Sequence, residues 1–97
     1  MNPLILRPEA AADVEEACRW YEARRQGLGD EFLDVVGEAI EYIGTRNESA
    51  PIVHRDLRRQ LLKRFPYGIL YRVIHGQVVV LGCFHARRTP RVWRPRG

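Results

Sequence analysis

The strongest constraint on this chain is a change of hydrophobic period at Pro51. Before it, apolar residues recur at helical spacing; after it, they run or alternate as strands do. From Glu9 to about Gln26 the stripe is Val14, Ala17, Cys18 and Tyr21, with Glu15, Glu16, Arg19 and Glu22 on the opposite side. Pro8 suits a first helical position, and Glu9 complements the helix N-terminus. Gly27 and Gly29 break the pattern, and Asp30 is placed to cap the next helical segment. Phe32, Val36, Ala39, Ile40 and Ile43 then form a second stripe that ends near 44–47. Two amphipathic helices joined by so short a glycine turn predict an antiparallel hairpin.

The second half reads differently. Pro3 to Leu6 had already supplied one short β-prone run. Asp56 to Phe65 is expected as a strand, with arginines between Leu57, Leu61 and Leu62, and Pro66 interrupts it. Tyr67 to Ile74 alternates, Ile69, Tyr71 and Val73 on one face and Leu70, Arg72 and Ile74 on the other. His75-Gly76 makes a tight turn, and Gln77 to Phe84 carries the β-branched run of a central strand. His85 to Gly97, with two prolines and five arginines, is expected as an irregular arm or short last strand. The expected fold class is α+β in the order β-α-α-β-β-β, one helical hairpin packed on one face of a small, mostly antiparallel sheet. The 97 residues suffice for a single domain, 1–97. The other sheet face is expected to meet water or a partner, and function is expected there.

Charge divides at the same place. Residues 1–50 carry 11 acids and 5 bases, whereas residues 51–97 carry 11 bases and one acid, Asp56. Fifteen of the sixteen cations are arginine, whose planar fork grips phosphates and carboxylates in a bidentate way. A cationic face meeting something anionic is the expectation. The two cysteines, Cys18 and Cys83, stand alone in apolar segments, without metal-ligand or redox spacing, and read as small buried hydrophobes. No apolar run approaches a membrane span, and Met1-Asn2-Pro3 does not open a signal peptide, so a soluble protein of the reducing cytoplasm is expected. His54 and His75 read as surface histidines, Tyr71 as a core ring with its hydroxyl at the edge, and Trp20 and Tyr21 as hairpin core. No metal and no cofactor is implied.

Five segments carry a family likeness. They are Pro8-Glu9-Ala10-Ala11 followed by Asp13-Val14, Trp20-Tyr21-Glu22, and Leu28-Gly29-Asp30-Glu31-Phe32. The others are Arg64-Phe65-Pro66-Tyr67-Gly68-Ile69-Leu70-Tyr71-Arg72-Val73 and the strand exit Cys83-Phe84-His85-Ala86-Arg87-Arg88-Thr89-Pro90. Over nearly its whole length the chain resembles the RelE/ParE superfamily of toxins from bacterial type II toxin–antitoxin modules. The resemblance implies a cognate antitoxin, ParD-like or RelB-like, whose disordered segment folds onto the toxin. It also implies one of two actions. RelE-like toxins cleave mRNA in the ribosome, without a metal, through the ribose 2′-hydroxyl; ParE-like toxins poison DNA gyrase by binding it.

The nuclease pattern has an arginine just inside the third strand, where this chain has Gly68. It has a second arginine after the last strand, matched by Arg87, and an aromatic acid/base, usually tyrosine, where this chain has Trp93. Under the nuclease alternative the catalytic residues are His85, Arg87 and Lys63. With two of three central positions lost, the comparison favours the ParE-like branch. In that reading the target- or antitoxin-binding residues are Arg58, Arg59, Lys63, Arg64, Arg72, Arg87, Arg88 and Arg91, with Arg94 and Arg96 in the same strip and Trp93 as an aromatic anchor among them. A non-toxic basic nucleic-acid-binding domain is the third reading.

Overall fold

The computed structural model describes residues 4–97, so Pro3 of the first expected strand lies outside the described residues. The elements are β1 (Leu4–Leu6), α1 (Pro8–Arg24), α2 (Leu28–Thr45), β2 (Ile52–His54), β3 (Leu57–Leu61), β4 (Tyr67–Ile74), β5 (Gln77–His85) and a short helix α3 (Pro90–Trp93), which runs into a 3-10 turn at Arg94–Arg96. The strands form one sheet in the order β1-β5-β4-β3-β2. Only β1 is parallel to its neighbour, with Leu4 opposite Val78 and Leu6 opposite Val80.

The helical hairpin forms as its stripes require. Gly27 turns the chain at φ 88°. No N-cap side chain serves α2; instead the Glu22 carboxylate of α1 accepts the N–H groups of Gly27 at 2.9 Å and Gly29 at 2.9 Å. Asp30, expected as the cap, lies inside the first turn of α2. Those backbone donors hold the Glu22 carboxyl below its ordinary range. A Cβ on Gly29 would lie 3.0 Å from the Cys18 carbonyl oxygen and 2.9 Å from Glu22 Oε1, so the two helices close only over a glycine here.

The hairpin seals the inner sheet face. Ala10, Ala17, Phe32, Val36 and Ile43 meet Ile69, Tyr71, Val78, Val80 and Cys83. At one end Tyr21, Phe32, Phe65 and Tyr67 form an aromatic cluster with centroids 4.8 to 6.0 Å apart, mostly edge-to-face, with Tyr21 and Phe32 tilted at 31°. Tyr71 is buried as expected, and its hydroxyl donates to the Asn47 carbonyl at 2.8 Å. Trp20 departs from expectation: it is 51% exposed, with the Arg24 guanidinium 4.1 Å above its ring.

Two elements differ from the sequence reading. The long strand expected over 56–65 is β3 alone, because the chain turns after Leu61 through Arg64 at φ 68°. A further three-residue strand, β2, pairs with β3 around Arg55 (φ 53°) and Asp56. Three residues are too few to show a period.

The second sheet face is not left to solvent. Leu57, Leu70, Val79 and Leu81 form an outer cluster, and Trp93 of the arm packs into it. The expectation of an open outer face is corrected on this point. Alternation had placed Leu70 there, and a sheet face so apolar needs a cover. The register between β4 and β5 shifts between Leu70 and Tyr71: Leu70 faces Gly82 and Tyr71 faces Val80. Leu81 is thereby the extra residue of a bulge.

Candidate functional site

Arginines leave this fold on several sides. Arg58, on the inner face opposite Tyr71, donates to the carbonyls of Glu48 at 2.8 Å and Ala50 at 2.7 Å. Arg64 pairs with Glu31 of α2 at 3.0 Å, and Arg25 meets the same carboxylate at 2.7 Å. These two guanidinium groups hold the Glu31 carboxyl below its usual range. Arg72 pairs with Asp56 at 3.1 Å and donates to the Gly97 carbonyl at 3.1 Å. Arg96 pairs with Asp13 at 2.9 Å. Four members of the expected strip therefore hold the chain to itself, and the single cationic face predicted from the charge division does not form.

Trp93 is the plainest correction. It is 5% exposed and shut into the outer cluster, so it cannot be an aromatic anchor among the arginines. Its indole fills the slot that Leu57, Leu70, Val79 and Leu81 would otherwise open to water.

Arg59, Lys63, Arg87, Arg88, Arg91 and Arg94 remain, together with Arg55. Among the described residues their charged groups have no ion-pair or hydrogen-bond partner. Four of the seven lie on the arm. The arm leaves β5 at His85, where the Ala86 N–H donates to the Pro66 carbonyl at 2.7 Å, and crosses the outer face by way of Trp93. It finishes with Gly97 against the Leu57 side chain. Near that end Arg94 and Arg55 flank His54, which rests against Trp93 at 6.4 Å between ring centroids. Burial first, then these two arginines, push the His54 imidazole below its ordinary pKa. Four unpaired cations on a segment of twelve residues, with Trp93 buried at its middle and Arg96 paired near its end, make a fixed cationic ridge.

Alongside the arm an open groove of about 940 Å³ lies between α1 and the last residues of β5, with Asp13, Trp20, Tyr67, His85, Arg88 and Arg96 among its walls. β1 covers only Val78–Val80, and Cys83, Phe84 and His85, farther along β5, line the groove. Here His85 stands 5.3 Å from Tyr67 between ring centroids, and its Nδ1 accepts the Arg87 N–H at 3.1 Å. Burial raises the Tyr67 phenol above its ordinary pKa, and the Cys83 thiol is pushed up to about 12. At that value Cys83 stays protonated and inert at neutral pH. Lys63 and Arg64 come to the same end of the sheet through the β3–β4 connection. Gly68 bears directly on the nuclease pattern. A Cβ there would lie 2.9 Å from Arg59 Cγ and 3.3 Å from Leu61 Cδ2, so an arginine at 68 would need Arg59 to move.

Sequence reasoning missed Asp13 as a partner of Arg96, and it missed the groove. Asp13 stood in the sequence only as part of a segment carrying the family likeness, and no local spacing pointed to its partner. Among the described residues no group of three His, Cys, Asp or Glu side chains could hold a metal ion, and no helix is long and apolar enough to cross a membrane.

No family model and no curated protein matches this sequence. Among solved structures, the chain is similar to one in a structure described as the chromosomal ParDE TA system from P. aeruginosa, with a TM-score of 0.65 and 20% identity. The match covers 88% of this chain and 96% of that one. The likeness shows the fold, and the α+β, ParE-like architecture expected from the sequence is the one present.

Proposed function

We propose that this chain is the toxin of a type II toxin–antitoxin module, of the ParE-like kind, which arrests growth by binding DNA gyrase and is silenced by a cognate antitoxin. One observation carries the choice between the two actions: of three central nuclease positions only Arg87 keeps its chemistry. Position 68 is a glycine, where an arginine would fit only if Arg59 moved, and Trp93 is buried with no titratable oxygen. Losing a phosphate-gripping cation and an acid/base group together costs orders of magnitude in rate, about tenfold per 1.4 kcal/mol. A binding toxin needs neither.

The unpaired arginines of the arm and Arg59 supply the contact to gyrase and its DNA. An acidic, amphipathic antitoxin segment complements the same cations and lays its apolar side chains on the exposed Trp20 and the aromatic wall of the groove. A gyrase target places the toxin in the cytoplasm, where that enzyme works. Two assays run side by side test it: supercoiling by purified gyrase, and translation in a purified system. Inhibition of supercoiling with translation intact is expected; the reverse result sinks the gyrase target. Co-expression with the adjacent small open reading frame should give a tight, salt-sensitive complex, and no complex at low salt counts against the toxin assignment itself.

A second reading rests on His85. With Nδ1 accepting the Arg87 N–H, its Nε2 is the nitrogen left to exchange a proton beside Tyr67 and Arg88, with Lys63 at the same end of the sheet. This arrangement favours a ribosome-dependent mRNA endonuclease. Site-specific cuts in translated message that vanish on Arg87→Ala would establish it. A chain whose expression leaves growth unchanged would instead fit the nucleic-acid-binding reading, with affinity falling steadily as salt rises.

A further inference from the structure

Beyond its exit at Ala86 the arm is fastened to the body at three points, and one of them ties it to α1. Trp93 and the Arg72–Gly97 contact hold the arm to the outer face of the sheet. The Asp13–Arg96 pair reaches around the sheet edge to the helix layer. Asp13 rises from α1; its Oδ2 accepts the Cys83 N–H at 3.0 Å and Arg96 Nη1 at 2.9 Å, and its Oδ1 accepts Arg96 Nη2 at 3.3 Å. Arg96 Nη1 also donates to the Leu81 carbonyl at 3.0 Å, and the guanidinium lies 4.9 Å from the Phe84 ring centroid.

Three features of the sheet make this passage. β1 stops at Val80, which leaves the following stretch of the β5 edge bare. The bulge at Leu81 turns that carbonyl to the edge. Gly82 clears the path: a Cβ there would lie 2.5 Å from the Phe84 ring and 3.0 Å from Arg96 Nη1. The side chains of Asp13 and Arg96 are 17% and 27% exposed, so the pair is screened far less than an ion pair on the surface.

We infer that Asp13 and Arg96 are positioning residues: their bridge is a clasp that holds Arg87, Arg88, Arg91 and Arg94 in the pose that meets the target. The target half of this inference rests on the proposed role of the arm's arginines in binding gyrase; the clasp itself does not. Between its anchors the arm has only local backbone hydrogen bonds, such as Val92 N–H to the Thr89 carbonyl and Gly97 N–H to the Arg94 carbonyl. A segment with so few bonds opens locally once a fastening goes, without global unfolding.

Hydrogen exchange on the intact chain tests the clasp. Asp13→Asn and Arg96→Gln should each raise exchange at the Val92, Arg94 and Gly97 amides about tenfold, as expected for a lost charge-assisted bond. The β4 amides should hold their protection, and the double variant should exceed neither single one by much. Asp13→Ala, which removes both acceptor oxygens, should loosen the arm in the same way and should alone expose the Cys83 amide. Asp13→Glu should retain most of the protection, and Glu38→Gln, on the exposed side of α2, should change nothing. In the supercoiling assay both clasp variants should need about tenfold more protein for half-inhibition, in step with exchange. Unchanged arm amides in both variants overturn the clasp. Loosened amides with unchanged inhibition overturn its bearing on the target. A wild-type chain that fails to inhibit gyrase overturns the functional reading, while exchange still decides the clasp.

Discussion

The two faces of one sheet are closed in opposite ways. On the inner face two helices of 17 and 18 residues lay a wide apolar surface over β4 and β5. On the outer face a single arm crosses, and one indole fills the centre. The inner seal spreads its energy over many side chains, so no one contact decides it. The outer seal concentrates its energy in Trp93 and a few charged contacts. A cover of the second kind is the one that can open while the fold persists, and it carries four of the unpaired arginines, Arg87, Arg88, Arg91 and Arg94.

Substitutions at the centre of each face put the contrast at risk. Phe32→Ala, which opens a cavity in the middle of the aromatic cluster, should cost about 3–5 kcal/mol in denaturant unfolding. Trp93→Ala should cost less, about 2–3 kcal/mol, because water can enter the vacated outer slot. It should also free the arm, seen as loss of amide protection from 86 onward with β4 unchanged. An equal loss across the whole chain would show the outer cover to be as integral as the inner one.

Gly29→Ala should come next, at about 1–3 kcal/mol, since the Cys18 carbonyl and the Glu22 carboxylate must both give way where the helices meet. A tolerated alanine would mean that the hairpin is looser than its geometry. Tyr71→Phe removes the one hydrogen bond from the ring to Asn47 and should cost about 1 kcal/mol. Gly37→Ala runs the other way. A Cβ there meets nothing within 4 Å, so it should stabilise α2 by up to about 1 kcal/mol, read as a raised thermal midpoint.

The smallest effect is a pH dependence. The Glu22 carboxyl has a folded pKa below its ordinary 4.5 because Gly27 and Gly29 donate to the ionised form. Its stabilising contribution is therefore present above that value and fades as pH falls through the folded pKa. The thermal midpoint of Glu22→Gln should change less than that of the wild type on acidification from neutral pH to about 3. Parallel curves would remove Glu22 from the hairpin's support.

Much of the inner face was legible from periodicity. Val14, Ala17 and Tyr21, then Phe32, Val36 and Ile43, fall where two packed helices need them, and Ile69, Tyr71 and Val73 fall beneath. The outer face was half legible: alternation placed Leu70 on it, while nothing local said that Trp93 would return to cover it. β2 was missed because three residues show no period, and α3 because prolines and arginines at this spacing read equally as loop. For the site, composition announced an excess of arginine without saying which ones the fold would use. Arg58, Arg64, Arg72 and Arg96 look like Arg59, Arg87, Arg88 and Arg91 in the bare sequence; the first four meet carbonyls and carboxylates, and the second four do not.

By itself the sequence determined where helix gives way to strand, which residues face inward, and how charge divides between the halves. Each of these is set by neighbours a few positions away, through helical or strand geometry. Only the tertiary structure decided which cations stay free, because an ion pair such as Asp13 with Arg96 joins residues 83 positions apart. No local spacing encodes that partnership: it exists once the sheet has twisted, β1 has ended early and the arm has come back across the far face.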